Sequence, residues 1–109
     1  MNPELRFAEA MWHSFDNGAS LGQQGSEQGI IVQDEEHRDG ARITLERDGG
    51  AAPFSITCGI YGLFVHTAFA SDEPEAIQMY SAMKERLDLI IRSEQREISV
   101  PLEAFCDEF

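Results

Sequence analysis

The run Asp34-Glu35-Glu36-His37 contains the residue types from which metal sites and proton-transfer sites are built. Carboxylate and imidazole groups bind divalent metals, and a glutamate beside a histidine can move protons. Adjacent residues of a strand, however, point to opposite faces of a sheet, so Glu35 and Glu36 cannot both ligate one ion without a turn. We therefore interpret the run as a solvated hairpin end, and retain Glu36 and His37 as catalytic candidates.

His66 is also a catalytic candidate, because alternation along the third predicted strand places it on the same side as the predicted core face. A buried imidazole needs hydrogen-bond partners. One interpretation is a structural histidine that is satisfied by Thr67, by a backbone group or by a second chain. The other is a functional residue that works with Glu36 or His37.

A nucleophile–base pair between Cys58 and His66 is not expected. The two residues are eight positions apart, which is about 26 Å along an extended strand, whereas such a pair must be in contact. Only a sharp fold-back at Gly59 and Gly62 would remove this objection.

The motifs of common cofactor sites are missing from the sequence. The 3 histidines and 2 cysteines have no zinc-binding spacing. The glycine-rich segment 17–29 has no lysine and no GxxxxGK[ST] pattern, and no GxGxxG follows a predicted strand. We therefore expect no metal and no cofactor, and we interpret 17–29 as a flexible loop.

The charge balance is strongly acidic, with 20 Asp plus Glu against 8 Lys plus Arg and a formal net charge of −12. A protein that binds nucleic-acid backbones needs a cationic surface, so we expect no nucleic-acid partner. An acidic surface suits a basic protein partner. Residues 1–54 and 55–109 each contain 10 acids and 4 bases, and this even spread does not indicate a mimic of nucleic acid.

The sequence gives no indication of a membrane or of secretion. No apolar run approaches the length of a membrane span, and no secretory pattern precedes Pro3. We expect a cytoplasmic protein, in which the 2 cysteines stay reduced.

Hydrophobic periodicity predicts a single α+β domain over residues 1–109. Its predicted core is a three-stranded antiparallel meander, with a long helix on one face and an N-terminal helix before it. Asp39-Gly40 is a typical hairpin dipeptide between the first two strands. The predicted strands are about 29–36, 41–48 and 54–70, and the predicted helices are about 3–15 and 72–93.

The lengths of the two turns predict the register of this meander. The first turn would pair Glu36 with Ala41, and the second would pair Arg47 with Phe54. The predicted core face then carries Ile30, Val32, Ile43, Leu45, Phe54, Ile56, Cys58 and Ile60. The predicted wet face carries Gln33, Glu35, Arg42, Thr44, Glu46, Ser55 and Thr57.

The predicted third strand is longer than its partner. The second strand ends opposite Ile60, yet beyond this point the residues on both sides of the predicted strand are apolar as far as about Ala70. The backbone groups of this extension need hydrogen-bond partners. The strand could bend at Gly59 or Gly62, residues 97–109 or the first helix could cover it, or a second copy could pair with it. We favour a homodimer, with an interface formed by Tyr61, Leu63, Val65 and Phe69.

These observations favour a non-enzymatic interaction or regulatory protein that is homodimeric and has an acidic surface. The alternative is a small enzyme or metal-dependent binder with a site near His66, at a dimer interface. A small-molecule pocket between the helix that carries Met79 and Met83 and the sheet is a third hypothesis, but a closed core is the more ordinary outcome.

Overall fold

The computed structural model of this chain describes residues 10–92 and 99–109. Its centre is a five-stranded antiparallel sheet in which the strands lie in the order of the sequence. The strands are β1 (Trp12–Ser14), β2 (Ile30–His37), β3 (Ala41–Arg47), β4 (Phe54–Ile60) and β5 (Phe64–Ala70), and the helices are α1 (Glu73–Arg92) and α2 (Ser99–Glu108). The predicted three-stranded meander with an N-terminal helix is therefore wrong.

Over Trp12–Ser14 the predicted helix 3–15 is replaced by the short strand β1. Trp12 lies opposite His37 of β2, and its side chain is buried. A tight turn follows, in which Asp16 and Asn17 have φ values of 50° and 54°, and a right-handed helix cannot continue through such residues. Burial of Trp12 thus outweighs the helical spacing of the sequence; residues 1–9 lie outside the described part of the chain.

The predicted strand over 54–70 is two strands joined by a tight turn. Gly62 has a φ of +79°, and the amide of Leu63 donates a hydrogen bond to the carbonyl of Ile60. Ile60 and Phe64 lie opposite each other across the new ladder. The sequence concealed this turn because Tyr61 and Leu63, which flank the glycine, are themselves apolar.

The register of the second predicted hairpin is confirmed, but that of the first is wrong by one residue. Arg47 lies opposite Phe54, as expected, whereas Ala41 lies opposite His37 rather than Glu36. A bulge between Ile31 and Gln33 absorbs the difference. Because side-chain direction alternates along a strand, this shift exchanges the faces of residues 33–37 of β2, whereas Ile30 and Ile31 keep the predicted register.

Helix α1 covers one face of the sheet, which we call the inner face; the opposite face is the outer face. The helix begins after Asp72, whose carboxylate accepts a hydrogen bond from the amide of Glu75 at 2.9 Å. Its apolar stripe packs on the buried side chains of β3, β4 and β5. The fully or nearly fully buried members of this core include Ile43, Leu45, Ile56, Cys58, Ala76, Tyr80, Met83 and Leu87.

Helix α2 closes the end of the inner face near β5. Phe105 is completely buried, and its ring meets that of Phe64 edge to face at 5.8 Å. Among the described residues, neither helix is long and apolar enough to cross a membrane.

The turn at Gly62 is open to a direct test. A Cβ added to Gly62 would have no heavy atom within 4 Å, so Gly62→Ala introduces only the backbone strain of the left-handed region. We expect a loss of about 1 kcal/mol in the free energy of unfolding, and less than half of that for Gly62→Asn, because asparagine tolerates this conformation. If residues 54–70 were one continuous strand, alanine would instead stabilise the protein in urea unfolding.

Candidate functional site

His66, the first catalytic candidate, lies on the inner face of β5. It is directly opposite Cys58 across the β4–β5 ladder, so the objection that about 26 Å separates the two residues is removed by the turn at Gly62. The His66 ring meets the ring of Phe105 edge to face at 6.0 Å, and its Nε2 has no hydrogen-bond partner among the described residues.

The proximity of Cys58 and His66 does not make a nucleophile. No hydrogen bond joins the two side chains in the described structure, and Cys58 is only 2% exposed. Burial, together with the neighbouring Cys106, raises the pKa of the Cys58 thiol to about 12. Because the thiolate is the reactive species, this raised pKa and the burial both disfavour Cys58 as a nucleophile.

His37, the second candidate, is fully buried beneath β1 and α1. Its Nδ1 accepts a hydrogen bond from the amide of Asp39 at 3.0 Å, which leaves the ring proton on Nε2, and Nε2 donates to the Asp88 carboxylate at 2.7 Å. Arg92 donates to the other Asp88 oxygen at 2.7 Å, and the Trp12 ring stands perpendicular to the imidazole at a centroid distance of 5.0 Å. Both ring nitrogens are therefore engaged by contacts within the fold.

A second polar contact between β2 and α1 lies beside this one. The Tyr80 hydroxyl donates to Glu35 at 2.6 Å, and the Lys84 ammonium lies 2.9 Å from the same carboxylate. The predicted wet position of Glu35 is thus wrong, because the shifted register of β2 turns its side chain to the inner face. Sequence reasoning missed Lys84 and Asp88 as partners because a helix stripe is normally read from its apolar residues.

Glu36, the third candidate, lies on the outer face. The Tyr61 hydroxyl donates a hydrogen bond to its carboxylate at 2.6 Å, and the ring of His13 is 3.3 Å from it. The hydrogen bond from Tyr61 lowers the pKa of Glu36. Burial, and then Glu36 itself, raises the pKa of Tyr61 to about 12. These contacts tie β1, β2 and the β4–β5 turn together.

The three candidates are therefore not brought together. His37 and His66 lie on strands β2 and β5, which are three strand spacings, or roughly 14 Å, apart. Glu36 faces the opposite side of the sheet from both. In residues 10–92 and 99–109, no group of three or more His, Cys, Asp or Glu side chains is arranged to hold a metal ion.

The outer face carries a buried carboxylate, Asp34, that the sequence pattern did not indicate. Arg42 binds both of its oxygens, through Nε at 2.9 Å and through Nη2 at 2.7 Å. Thr44 and Ser20 donate one hydrogen bond each to the same carboxylate. The guanidinium of Arg42 also lies over the ring of Phe15, 3.6 Å from its centroid.

The glycine-rich segment, which we interpreted as a flexible loop, packs on the outer face through the carboxylate of Glu46. The backbone amides of Glu27 and Gly29 donate to this side chain, which is 1% exposed. Gly25 approaches so closely that a Cβ would lie 2.4 Å from the carboxyl carbon. The glycines therefore permit a close approach of loop and sheet.

Between this loop and the β4–β5 hairpin the outer face forms a depression of about 790 Å³, which we call the outer groove. The loop supplies one side, and Tyr61, Leu63 and Val65 supply the other. Arg42, Thr44 and Thr57 belong to the strands beneath it. Its volume falls within the range of small-molecule sites.

The four predicted interface residues are all exposed. The exposed fractions are 52% for Tyr61, 58% for Leu63, 78% for Val65 and 47% for Phe69. Val65 and Phe69 point to the outer face of β5, which is the last strand of the sheet in the described structure. An apolar strip therefore runs along this edge.

Comparison of the chain with protein-family models, curated proteins and solved structures gives no match, so function must be argued from these contacts.

The buried His37–Asp88 contact predicts a large asymmetry between two histidine variants. His37→Ala leaves the Asp88 carboxylate buried with one fewer donor, and we expect a loss of about 3–5 kcal/mol in the free energy of unfolding. His13→Ala, at a site whose side chain is 56% exposed, should change it by less than about 0.5 kcal/mol. Urea unfolding followed by circular dichroism measures both, and equal losses would contradict a structural role for His37.

The hydrogen bond between Tyr61 and Glu36 predicts an abnormal tyrosine titration. The Tyr61 hydroxyl should ionise near pH 12. The stabilisation from its contact with Glu36 is therefore complete below the ordinary tyrosine pKa of about 10, and it is lost as the pH rises from there to the raised pKa. The chain has 2 tyrosines, and the difference between wild type and Tyr61→Phe in tyrosinate absorbance isolates the Tyr61 transition. A midpoint near the ordinary value of about 10 would contradict the contact.

Proposed function

We propose that this protein is a non-enzymatic interaction or regulatory protein that works as a homodimer, with β5 of each copy paired edge to edge. The observation that carries the proposal is the free outer edge of β5, beyond which no strand lies in the described residues. Val65 and Phe69 are exposed along it. An edge of this kind is a template for pairing with another chain.

The edge lacks the features that normally prevent such pairing. Residues 54–70 contain no Asp, Glu, Lys or Arg, although 26% of the chain is charged. Strand β5 has no proline, and its ladder with β4 has no bulge. Natural proteins usually protect exposed edges with charges, prolines or bulges, so an unprotected apolar edge favours a partner strand.

A two-fold axis through Thr67 makes β5 complementary to itself. Antiparallel pairing about this axis places Val65 opposite Phe69 of the second copy, and by symmetry the same contact forms twice. Pairs of an aromatic and a β-branched residue across strands contribute roughly 0.2–1 kcal/mol each. On the inner face His66 lies opposite the small side chain of Ala68, which avoids a clash.

Tyr61 and Leu63 extend this interface beyond the paired strands. Both lie in the turn between β4 and β5, at the end of the exposed apolar strip. Tyrosine is enriched among interface residues that dominate binding energy. In this proposal Val65 and Phe69 form the centre of the interface, and the turn residues lie at its ends.

The acidic surface supports a second contact, with a basic protein. Each copy has a formal charge of −12, so two copies repel each other at low ionic strength, and an oppositely charged partner is attracted. Both cysteines are free thiols, which suits the cytoplasmic location that we propose.

The alternative, an enzyme or metal-dependent binder near His66, has less support from the geometry. The alternative required Glu36 or His37 beside His66. In the structure Glu36 instead accepts a hydrogen bond from Tyr61, and His37 donates one to Asp88. No observation in the described residues favours this second function over the first.

Light scattering after size-exclusion chromatography tests the homodimer. At tens of micromolar we expect twice the monomer mass of 12.2 kDa, and we expect Val65→Lys to give the monomer, because it places a charge at the centre of the pairing. Leu89→Lys is the matched control, since Leu89 is an exposed apolar residue of α1, and it should remain dimeric. A monomeric wild type, or the same measured mass for the two variants, would contradict the proposal.

A further inference from the structure

The buried carboxylates around the outer groove are unable to hold a cation. Each oxygen of Asp34 accepts two hydrogen bonds: one oxygen from Arg42 Nε and Thr44, and the other from Arg42 Nη2 and Ser20. Glu46 is likewise engaged by the backbone amides of the loop. A carboxylate with its lone pairs occupied has little left for a metal ion or an ammonium group.

An anion is disfavoured at the same place. Arg42 is the one basic residue among those that line the groove, and its charge is balanced by Asp34. The hydrogen bonds that Arg42 donates to Asp34 hold the Arg42 pKa above its ordinary value, so the guanidinium stays charged beside the carboxylate. Glu46 and Asp16 add negative charge to the surroundings, and an incoming anion would meet net repulsion.

Arg42 nevertheless retains one donor group. Its Nε and Nη2 are bound to Asp34, whereas Nη1 has no hydrogen-bond partner in the described structure. The Arg42 side chain is 36% exposed, and its guanidinium lies against the Phe15 ring on one side. A rigid donor at the border of a cavity selects a hydrogen-bond acceptor, such as a carbonyl oxygen.

The hairpin side of the groove is largely apolar, whereas the loop side also carries polar side chains such as Gln23, Gln24 and Ser26. Phe15 lies on the loop side, and Leu63 and Val65 lie on the hairpin side. Thr44 and Thr57 lie beneath with their hydroxyls directed into contacts with Asp34 and Thr67. Apolar walls with a few oriented polar groups are the typical construction of a small-molecule site.

We propose that the outer groove binds a neutral, largely apolar small molecule whose acceptor oxygen receives a hydrogen bond from Arg42 Nη1. The apolar body lies between the loop and the hairpin and covers Leu63 and Val65. This site goes beyond the proposed function and is present in a single copy of the chain, so it does not depend on the homodimer.

Nile red is a suitable probe, because it is neutral, flat and aromatic and carries a carbonyl oxygen. We expect saturable binding with a rise in its fluorescence. Two variants fill the groove from opposite sides: Thr57→Trp from the sheet and Ala19→Trp from the exposed loop. Each should weaken the binding of Nile red at least about tenfold, which is equivalent to about 1.4 kcal/mol. Ile77→Trp, at an exposed position of α1, is the matched control and should bind like wild type.

Chemical-shift mapping identifies the site without relying on the variants alone. Nile red should shift the methyl signals of Leu63 and Val65 and leave those of Leu89 unchanged. Unchanged affinity in Ala19→Trp, which is exposed and should fold normally, would overturn the proposal, as would equally tight binding of the anionic dye anilinonaphthalene sulfonate to the same residues. Failure of dye binding in a dimeric wild type would remove this site and leave the proposed function untouched.

Discussion

The buried hydrogen bond between His37 and Asp88 joins the sheet to the helix that covers it. Both side chains have no exposed surface, so neither can exchange its partner for water, and loss of either would leave a buried polar group unsatisfied. The contact requires His37 to face inward. An inward His37 goes with the observed register of the hairpin end of β2, and with the side on which each residue from Gln33 to His37 lies.

The direction of β2 then determines the chemistry of both faces. Glu35 turns inward and meets Tyr80 and Lys84, whereas Asp34 turns outward and is enclosed by Arg42 and the loop. Each carboxylate is neutralised by a basic residue of another element. The acidic run that resembled a metal or proton-transfer site is thus divided between two separate structural networks, which explains why it supplies no common site.

The outer face combines the two features on which the functional proposals rest. The turn at Gly62 converts one long apolar segment into β4, β5 and the ridge that carries Tyr61 and Leu63. It also makes β5 the edge of the sheet and exposes Val65 both to the groove and to that edge. Self-association and small-molecule binding would therefore occupy adjacent surfaces, and a ligand that covers Val65 would be in a position to influence the dimer.

The sequence by itself determined the local elements whose periodicity agrees with their final burial. These are the helix predicted over about 72–93, which the structure has at Glu73–Arg92, and the β3–β4 register. The tertiary structure alone decided the rest. Burial of Trp12 against His37 replaced a predicted helix by a strand, and a bulge in β2 exchanged the faces of residues 33–37. The left-handed conformation of Gly62 brought Cys58 and His66 together, because a single residue's backbone geometry, which apolar patterning does not reveal, reverses the chain.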